Sequence, residues 1–153
     1  IIDGNNYVNS VMNLVQTENA QVISLAAGIE SEIQELQTYE ERKIFLDDLG
    51  IDEPGSSKLI SAVYDLLDLH TYFTAGPNEV RAWTIPKGSL APQAAGVIHS
   101  DFEKGFIKAE VISYKDFTTY KTEVKVREAG KIRIEGKEYV VKSGDVIHFM
   151  FNV

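Results

Sequence analysis

One stretch of this sequence gathers a base, a hydroxyl and two acids within six residues: His99-Ser100-Asp101, followed by Glu103 and Lys104. Read as chemistry, such a cluster could hold a metal ion or pass a proton. One histidine beside carboxylates is a thin ligand set, and the plainer reading weighs more. In it, His99 and Asp101 close a loop between a helix and a strand through side-chain hydrogen bonds. No metal site is expected, and no catalytic residue is assigned. Ser24 and Ser100 have no histidine at a recognisable spacing, so neither reads as a nucleophile. His70 and His148 read as packing or surface residues. Trp83, Tyr72, Phe73 and Phe106 have faces on which a nucleobase could stack, although aromatics in alternating strands usually belong to a core. Lys121, Lys125, Arg127, Lys131 and Arg133, with Lys137 and Lys142 beyond them, could form a basic face for phosphates. Glu123, Glu128, Glu135 and Glu138 interleave with that face and dilute it. A Gly-x-x-x-x-Gly-Lys-Ser/Thr phosphate loop occurs nowhere in the 153 residues, so nothing here grips a triphosphate.

Composition narrows the field further. The length allows one good core or two small ones. No apolar run approaches the length of a membrane span, and the absence of cysteine leaves no disulfide framework or thiolate chemistry. The net charge of -8 is unevenly spread. Residues 1–68 carry three Lys or Arg against thirteen Asp or Glu, a net of -10, whereas residues 69–153 carry twelve against ten, a net of +2. Two surfaces with different partners follow from that split. The break in charge coincides with a change from helical to strand patterning, which places a domain boundary near Asp68 and Leu69.

Local patterning supplies the framework around these residues. Asp3 to Thr17 has the spacing of an amphipathic helix, and Gln21-Val22-Ile23-Ser24-Leu25 that of a buried strand, turning at Ala26-Ala27-Gly28. Ile29, Ile33 and Leu36 repeat at helical spacing. Thr38-Tyr39-Glu40-Glu41 fits a capping box, Gly50 a left-handed stop, and Ser56 or Ser57 a cap for a helix with Leu59, Ile60, Val63, Tyr64, Leu66 and Leu67 as its stripe. Strands are expected over Thr71 to Ala75 and Val80 to Ile85, joined by a Gly76-Pro77-Asn78 hairpin loop. A short helix follows at Pro92 to His99, with Ala94, Val97 and Ile98 inward. Gly105 reads as a hinge into a strand through Ile107, Ala109 and Val111. Asp116 to Gly130 includes a second short helix. Lys131 to Glu135 and Glu138 to Val141 read as strands, and the final strand sets Ile147, Phe149, Phe151 and Val153 on one face. Strand hairpin, helix, strand and terminal strand hairpin make a ubiquitin-like β-grasp order.

The segments Tyr72-Phe73-Thr74-Ala75-Gly76, Glu79-Val80-Arg81-Ala82-Trp83-Thr84-Ile85, Gly96 to Val111 and Gly144-Asp145-Val146-Ile147-His148-Phe149 resemble the TGS domain, named for threonyl-tRNA synthetases, GTPases and SpoT. Through to the closing Phe151-Asn152-Val153, the wording is similar to the C-terminal half of a YchF-type Obg-like ATPase, over nearly the whole chain. That resemblance implies an α+β fold: a mostly helical remnant of an α/β nucleotide-binding domain in 1–68, then a β-grasp TGS domain in 69–153. It implies a cytoplasmic parent that hydrolyses ATP or GTP with Mg and associates with ribosomes. The phosphate loop, the magnesium ligands and a base-reading Asn-x-x-Glu motif would lie upstream of the matched region. It puts Ser24, Leu25, Ala26 and Ala27 near the nucleotide base. It gives the TGS part a docking role toward RNA or the ribosome, through the loop bearing His99, Asp101, Glu103 and Lys104 or through Lys121, Lys125, Arg127, Lys131 and Arg133. Beginning at Ile1 rather than Met, the chain is expected to be a piece that lacks its N-terminal nucleotide domain, needs no cofactor of its own and hydrolyses nothing alone. A different class is a stand-alone regulatory β-grasp domain sensing a small ligand in the Gly96 to Gly105 loop. A β-grasp carrier would need a terminal Gly-Gly where this chain has Phe151-Asn152-Val153.

Overall fold

A computed structural model describes residues 5–18, 20–77 and 79–152. The fold is α+β and divides into two compact units, Ile1–Leu66 and Leu67–Val153. The division falls two residues before the expected boundary.

The first unit is helical: α1 (Asn6–Val15), α2 (Ala27–Glu35), α3 (Tyr39–Asp48) and α4 (Gly55–Leu66). Asn5 caps α1, its Oδ1 accepting the Tyr7 and Val8 amides at 2.9 and 3.0 Å; Asp3 and Gly4, the expected start, lie outside the described residues. The capping box of α3 forms as expected. Thr38 Oγ1 accepts the Glu41 amide at 3.2 Å, and Glu41 Oε2 accepts the Thr38 amide at 3.0 Å. That reciprocal bond with Thr38 holds the Glu41 carboxyl below the usual carboxylate range. Gly50 ends α3 with φ +66°, and the Ile51 amide reaches back to the Leu46 carbonyl at 2.9 Å.

Two expectations for this unit need correction. The run Gln21 to Leu25 is not in a strand, because a ladder needs neighbours and no other segment of this unit is extended alongside it among the described residues. Ala27 and Gly28 lie inside α2 rather than in a turn. The only buried apolar side chains among the described residues of this unit are Ile33 and Leu46. The stripes of α1 and α4 stay open, with Tyr7, Leu14, Ile60 and Leu66 all exposed.

The second unit contains β1 (Leu69–Ala75), β2 (Val80–Pro86), α5 (Ala91–Ile98), α6 (Ser100–Lys104), β3 (Phe106–Ser113), α7 (Tyr114–Tyr120), α8 (Glu123–Glu128), β4 (Arg133–Glu135) and β5 (Asp145–Phe151). The sheet order is β2-β1-β5-β3-β4, with β1 parallel to β5 at the centre and the other pairs antiparallel. This is the β-grasp arrangement. One sheet face packs Tyr72, Ile85, Phe106, Ala109, Val111, Ile147 and Phe149 against Ala91, Ala94 and Ala95 of α5. The other packs Ile112 and Val146 against Val126, with Phe73, Phe117 and Ile132 around them. Burial on both faces explains why β5 carries a near-continuous apolar run, Val146 to Phe151 broken only by His148.

Here too the structure departs from the sequence pattern in places. Val97 points outward, and Ala91 and Ala95 take the buried side of α5 with Ala94. Gly105 is not a left-handed hinge, since its φ is -86°. What excludes a side chain there is the Asn152 backbone, which a Cβ would strike and which donates its amide to the Gly105 carbonyl at 2.9 Å. The polar stretch after Tyr114 forms two helices, α7 and α8, rather than one. Glu138 to Val141 is not a strand; it makes a single bridge, Leu90 to Val140, flanked by the Ala91 amide on the Tyr139 carbonyl at 2.8 Å and the Val141 amide on the Ser89 carbonyl at 3.0 Å. Asn78 of the hairpin loop and Val153 of the final face lie outside the described residues.

Candidate functional site

The segment singled out first, His99 to Lys104, is a helix start. His99 ends α5 in extended conformation and caps α6, its Nδ1 accepting the Asp101 amide at 3.2 Å with the Asp101 carboxylate 3.5 Å away. An imidazole nitrogen that accepts an amide is not free to take a proton from a substrate in the same geometry. Glu103 folds back over Gly96, where a side chain would collide with it, and Lys104 is exposed. Phe102 stacks on Phe151 at 3.7 Å between ring centres, tying α6 to the end of β5. The four residues are thus brought together by a capping turn. Among the described residues no group of three or more His, Asp or Glu is arranged to hold a metal ion.

Ser24 to Ala27 borders a cleft of about 470 Å³ in the first unit, lined by Ser24 and Ala26 together with Asn9, Glu30, Asp52 and Lys58. Ala26 caps α2 without a side-chain bond, so the first amides of α2 have no side-chain partner there. Leu25 is half exposed, and Ala27 is the first residue of α2. Glu30, on the first turn of α2, reaches across to α4. Its two oxygens accept the Gly55 amide at 2.6 Å and the Ser56 amide at 3.2 Å. A carboxylate from another helix therefore does the capping expected of Ser56 or Ser57, with the dipole of α4 in its favour. Nothing in these residues fits a triphosphate or its magnesium ion.

The five basic candidates separate into two groups. Arg127 is committed: its Nη2 donates to Glu110 Oε2 at 2.7 Å and to Glu123 Oε1 at 3.0 Å, and these bonds raise its pKa, that to Glu110 most. Arg133 is committed too, to Glu135 at 3.0 Å, the Tyr139 hydroxyl at 3.0 Å and Asp145 at 3.3 Å. Lys121, Lys125 and Lys131 are exposed and make no ion pair among the described residues. They stand at the end of α7, in the last turn of α8 and just beyond it. Of the aromatics, Tyr72 and Phe106 are core, Phe73 packs on the second face, and Trp83 is half-buried.

Sequence reasoning missed the network around Asp145. This carboxylate is 4% exposed. Its Oδ2 accepts the Tyr139 hydroxyl at 2.7 Å and the Lys142 amide at 2.9 Å, while its Oδ1 meets Arg133. A signal was present: Asp145 is in phase with Ile147 and Phe149, and an acid on the buried face of a strand requires partners. Burial, reinforced by the bond to Asp145, pushes the Tyr139 hydroxyl up to about 12, and burial raises that of Tyr72 further. A folded-state pKa above the unfolded value of about 10 means stability that is complete below pH ~10 and lost as pH climbs toward 12. Denaturation midpoints of the second unit are expected to fall through that window, and the fall to be shallower in Tyr139→Phe.

Comparison with known proteins agrees with this architecture. Residues 69–152 match the YchF-GTPase_C family model, described as "Protein of unknown function (DUF933)". The chain is 57% identical over 151 residues to "Ribosome-binding ATPase YchF" of Pasteurella multocida, covering 99% of this chain and 41% of that protein. The protein of that name from Bacillus subtilis is 56% identical over 150 residues, at 98% and 41% coverage. Among solved structures, the Schizosaccharomyces pombe YchF GTPase superposes with a TM-score of 0.77 at 39% identity, covering 97% of this chain and 39% of that one. The chain therefore spans about two fifths of the length of the curated relatives it matches. Since the family model takes in every strand of the five-stranded sheet and more than half of the residues, this chain belongs to the YchF-GTPase_C family.

Proposed function

We infer that this chain serves as the ribosome-docking part of a cytoplasmic, ribosome-associated ATPase or GTPase, with its second unit as a TGS-type binding module. The observation that carries this reading is the identity of 54 to 57% over 151 residues with proteins named "Ribosome-binding ATPase YchF". In a protein of that length the phosphate grip and the magnesium ligands belong to residues outside this chain. Ser24 to Ala27 and the open amides of α2 would then border the base of a bound ATP or GTP, which the cleft beside them supports. The adenine or guanine edge is held there, and the triphosphate chemistry is supplied elsewhere.

The docking contact assigned to the second unit is electrostatic and made by lysines. Lys121, Lys125 and Lys131 have charge to spare for RNA phosphates, whereas Arg127 and Arg133 are spent on Glu110, Glu123, Glu135 and Asp145. Co-sedimentation of the purified chain with ribosomes over a salt series tests this. Binding should weaken as salt rises, and replacing all three lysines with glutamine should flatten the log–log slope by about 0.7 to 0.9 for each phosphate left without its lysine. Association indifferent to salt, or unchanged in the triple variant, would contradict it.

A further inference from the structure

The free end of the sheet carries a feature that ribosome docking by lysines does not use. β2 ends the strand order and pairs only with β1, so the outward amides and carbonyls of its leading half, Val80 to Trp83, meet no further strand among the described residues. Natural edges are commonly blunted by a bulge, an inserted proline or a lysine. Here the register with β1 runs unbroken from Leu69↔Pro86 to Ala75↔Val80 and proline appears only at the last position, so the charges of Arg81 and Glu79 are what guard the edge.

On that edge sits a prepared cation. The Arg81 guanidinium lies over the Trp83 ring, 4.2 Å from its centroid. Trp83 is held in turn, its Nε1 donating to Thr74 Oγ1 at 2.9 Å while the ring packs on the core. Arg81 is exposed and has no acidic partner among the described residues. A guanidinium laid flat on a fixed ring keeps its in-plane N–H groups pointing outward and loses little freedom when a carboxylate arrives. The register puts Arg81 and Trp83 on one face of β2, and Val80 and Ala82 on the other. A strand laid alongside would meet a cation on one face and a small apolar pair on the other, the pattern by which added strands are read.

We propose that the leading half of β2 accepts an extended acidic peptide of a partner protein as a sixth strand, with a carboxylate forked onto Arg81 and an apolar residue beside Val80 and Ala82. Glu79, exposed at the same end, disfavours a polyphosphate backbone at this edge. A peptide that alternates acid and apolar residues sets one carboxylate on Arg81, whereas an acid beside Glu79, two residues before Arg81, is repelled.

Trp83 is the only tryptophan in the chain, so its emission reports on this edge alone. The probe is a short end-blocked peptide alternating valine and glutamate, titrated into the whole chain. Controls are the same peptide with proline at its central valine, and an oligouridylate. A saturable change in emission is expected with the first peptide, weakened by salt and absent with the proline peptide. Arg81→Gln should bind at least roughly tenfold more weakly, the loss of one charge-assisted hydrogen bond, and Arg81→Lys should fall between. Unchanged affinity in Arg81→Gln would overturn the proposal, as would equal binding of the proline peptide, tighter saturation by the oligouridylate, or no saturable response to millimolar peptide.

Discussion

Replacing Tyr72 with alanine is expected to cost the second unit a large part of its stability. Tyr72 is fully buried, stands edge-on to Phe149 at 5.8 Å between ring centres, and donates its hydroxyl to the Ala94 carbonyl at 2.8 Å. Deleting a buried aromatic ring costs about 3 to 5 kcal/mol, and the whole margin of a small domain is about 5 to 15 kcal/mol. For a unit of this size each kcal/mol moves the melting temperature by roughly 4 to 8 °C, so a fall of about 12 to 40 °C is expected. Tyr72→Phe keeps the ring and loses the bond to Ala94, which limits the loss to about 1 kcal/mol. Val97→Ala, on the exposed side of α5, should be nearly silent. Urea titration followed by Trp83 emission reads all three variants in the second unit. A Tyr72→Ala midpoint within error of the parent would mean that α5 is not clamped to the sheet through this ring.

Those side chains also indicate how much of the structure is legible in the sequence. Tyr72, Ile147 and Phe149 declare themselves because strand alternation is a local, period-two property, and the same holds for the helical stripes and for the Thr38 to Glu41 box. The succession of patterned elements already gives the β-grasp order, and the resemblance to the TGS domain implies the same. What is hidden depends on residues far apart in the chain. Glu30 caps α4 from 25 residues away, and no local pattern points from one to the other. Glu138 to Val141 has strand composition, but its hydrogen bonds go to the Ser89 to Ala91 turn, so it makes a bridge and no ladder. Gly105 stands out in the sequence as a position that needs glycine, but the cause lies elsewhere, because the approach of Asn152 depends on the pairing of β3 with β5.

The basic residues show the same limit in electrostatic form. By sequence Arg127 and Arg133 look equivalent to Lys121, Lys125 and Lys131. Only the fold sets Arg127 against Glu110, 17 residues away, and Arg133 against Asp145. Charge available to a partner is what remains after internal pairing, and a count of lysines and arginines overstates it.

Asp145 gives the second large effect. It receives Arg133, the Tyr139 hydroxyl and the Lys142 amide, and so binds the start of β5 to β4 and to the loop between them. Breaking a buried ion pair from one side commonly costs about 3 to 5 kcal/mol. The Arg133 side chain is 41% exposed, however, and can return its charge to water. What Asp145→Ala strands are the hydroxyl and the amide, at about 1 to 3 kcal/mol each when buried, so a loss of about 2 to 6 kcal/mol is expected. Asp145→Asn preserves shape and one acceptor and should lose roughly half of that, by the same estimate. A readout specific to the network is the Tyr139 titration, which the charge of Asp145 helps to raise. In Asp145→Asn the absorbance of tyrosinate that is absent from Tyr139→Phe controls should appear at lower pH than in the parent. A double-mutant cycle between the two positions should show coupling of about 0.5 to 3 kcal/mol. Strict additivity, with the Tyr139 titration unmoved, would mean that Asp145 acts only as a local cap for the Lys142 turn.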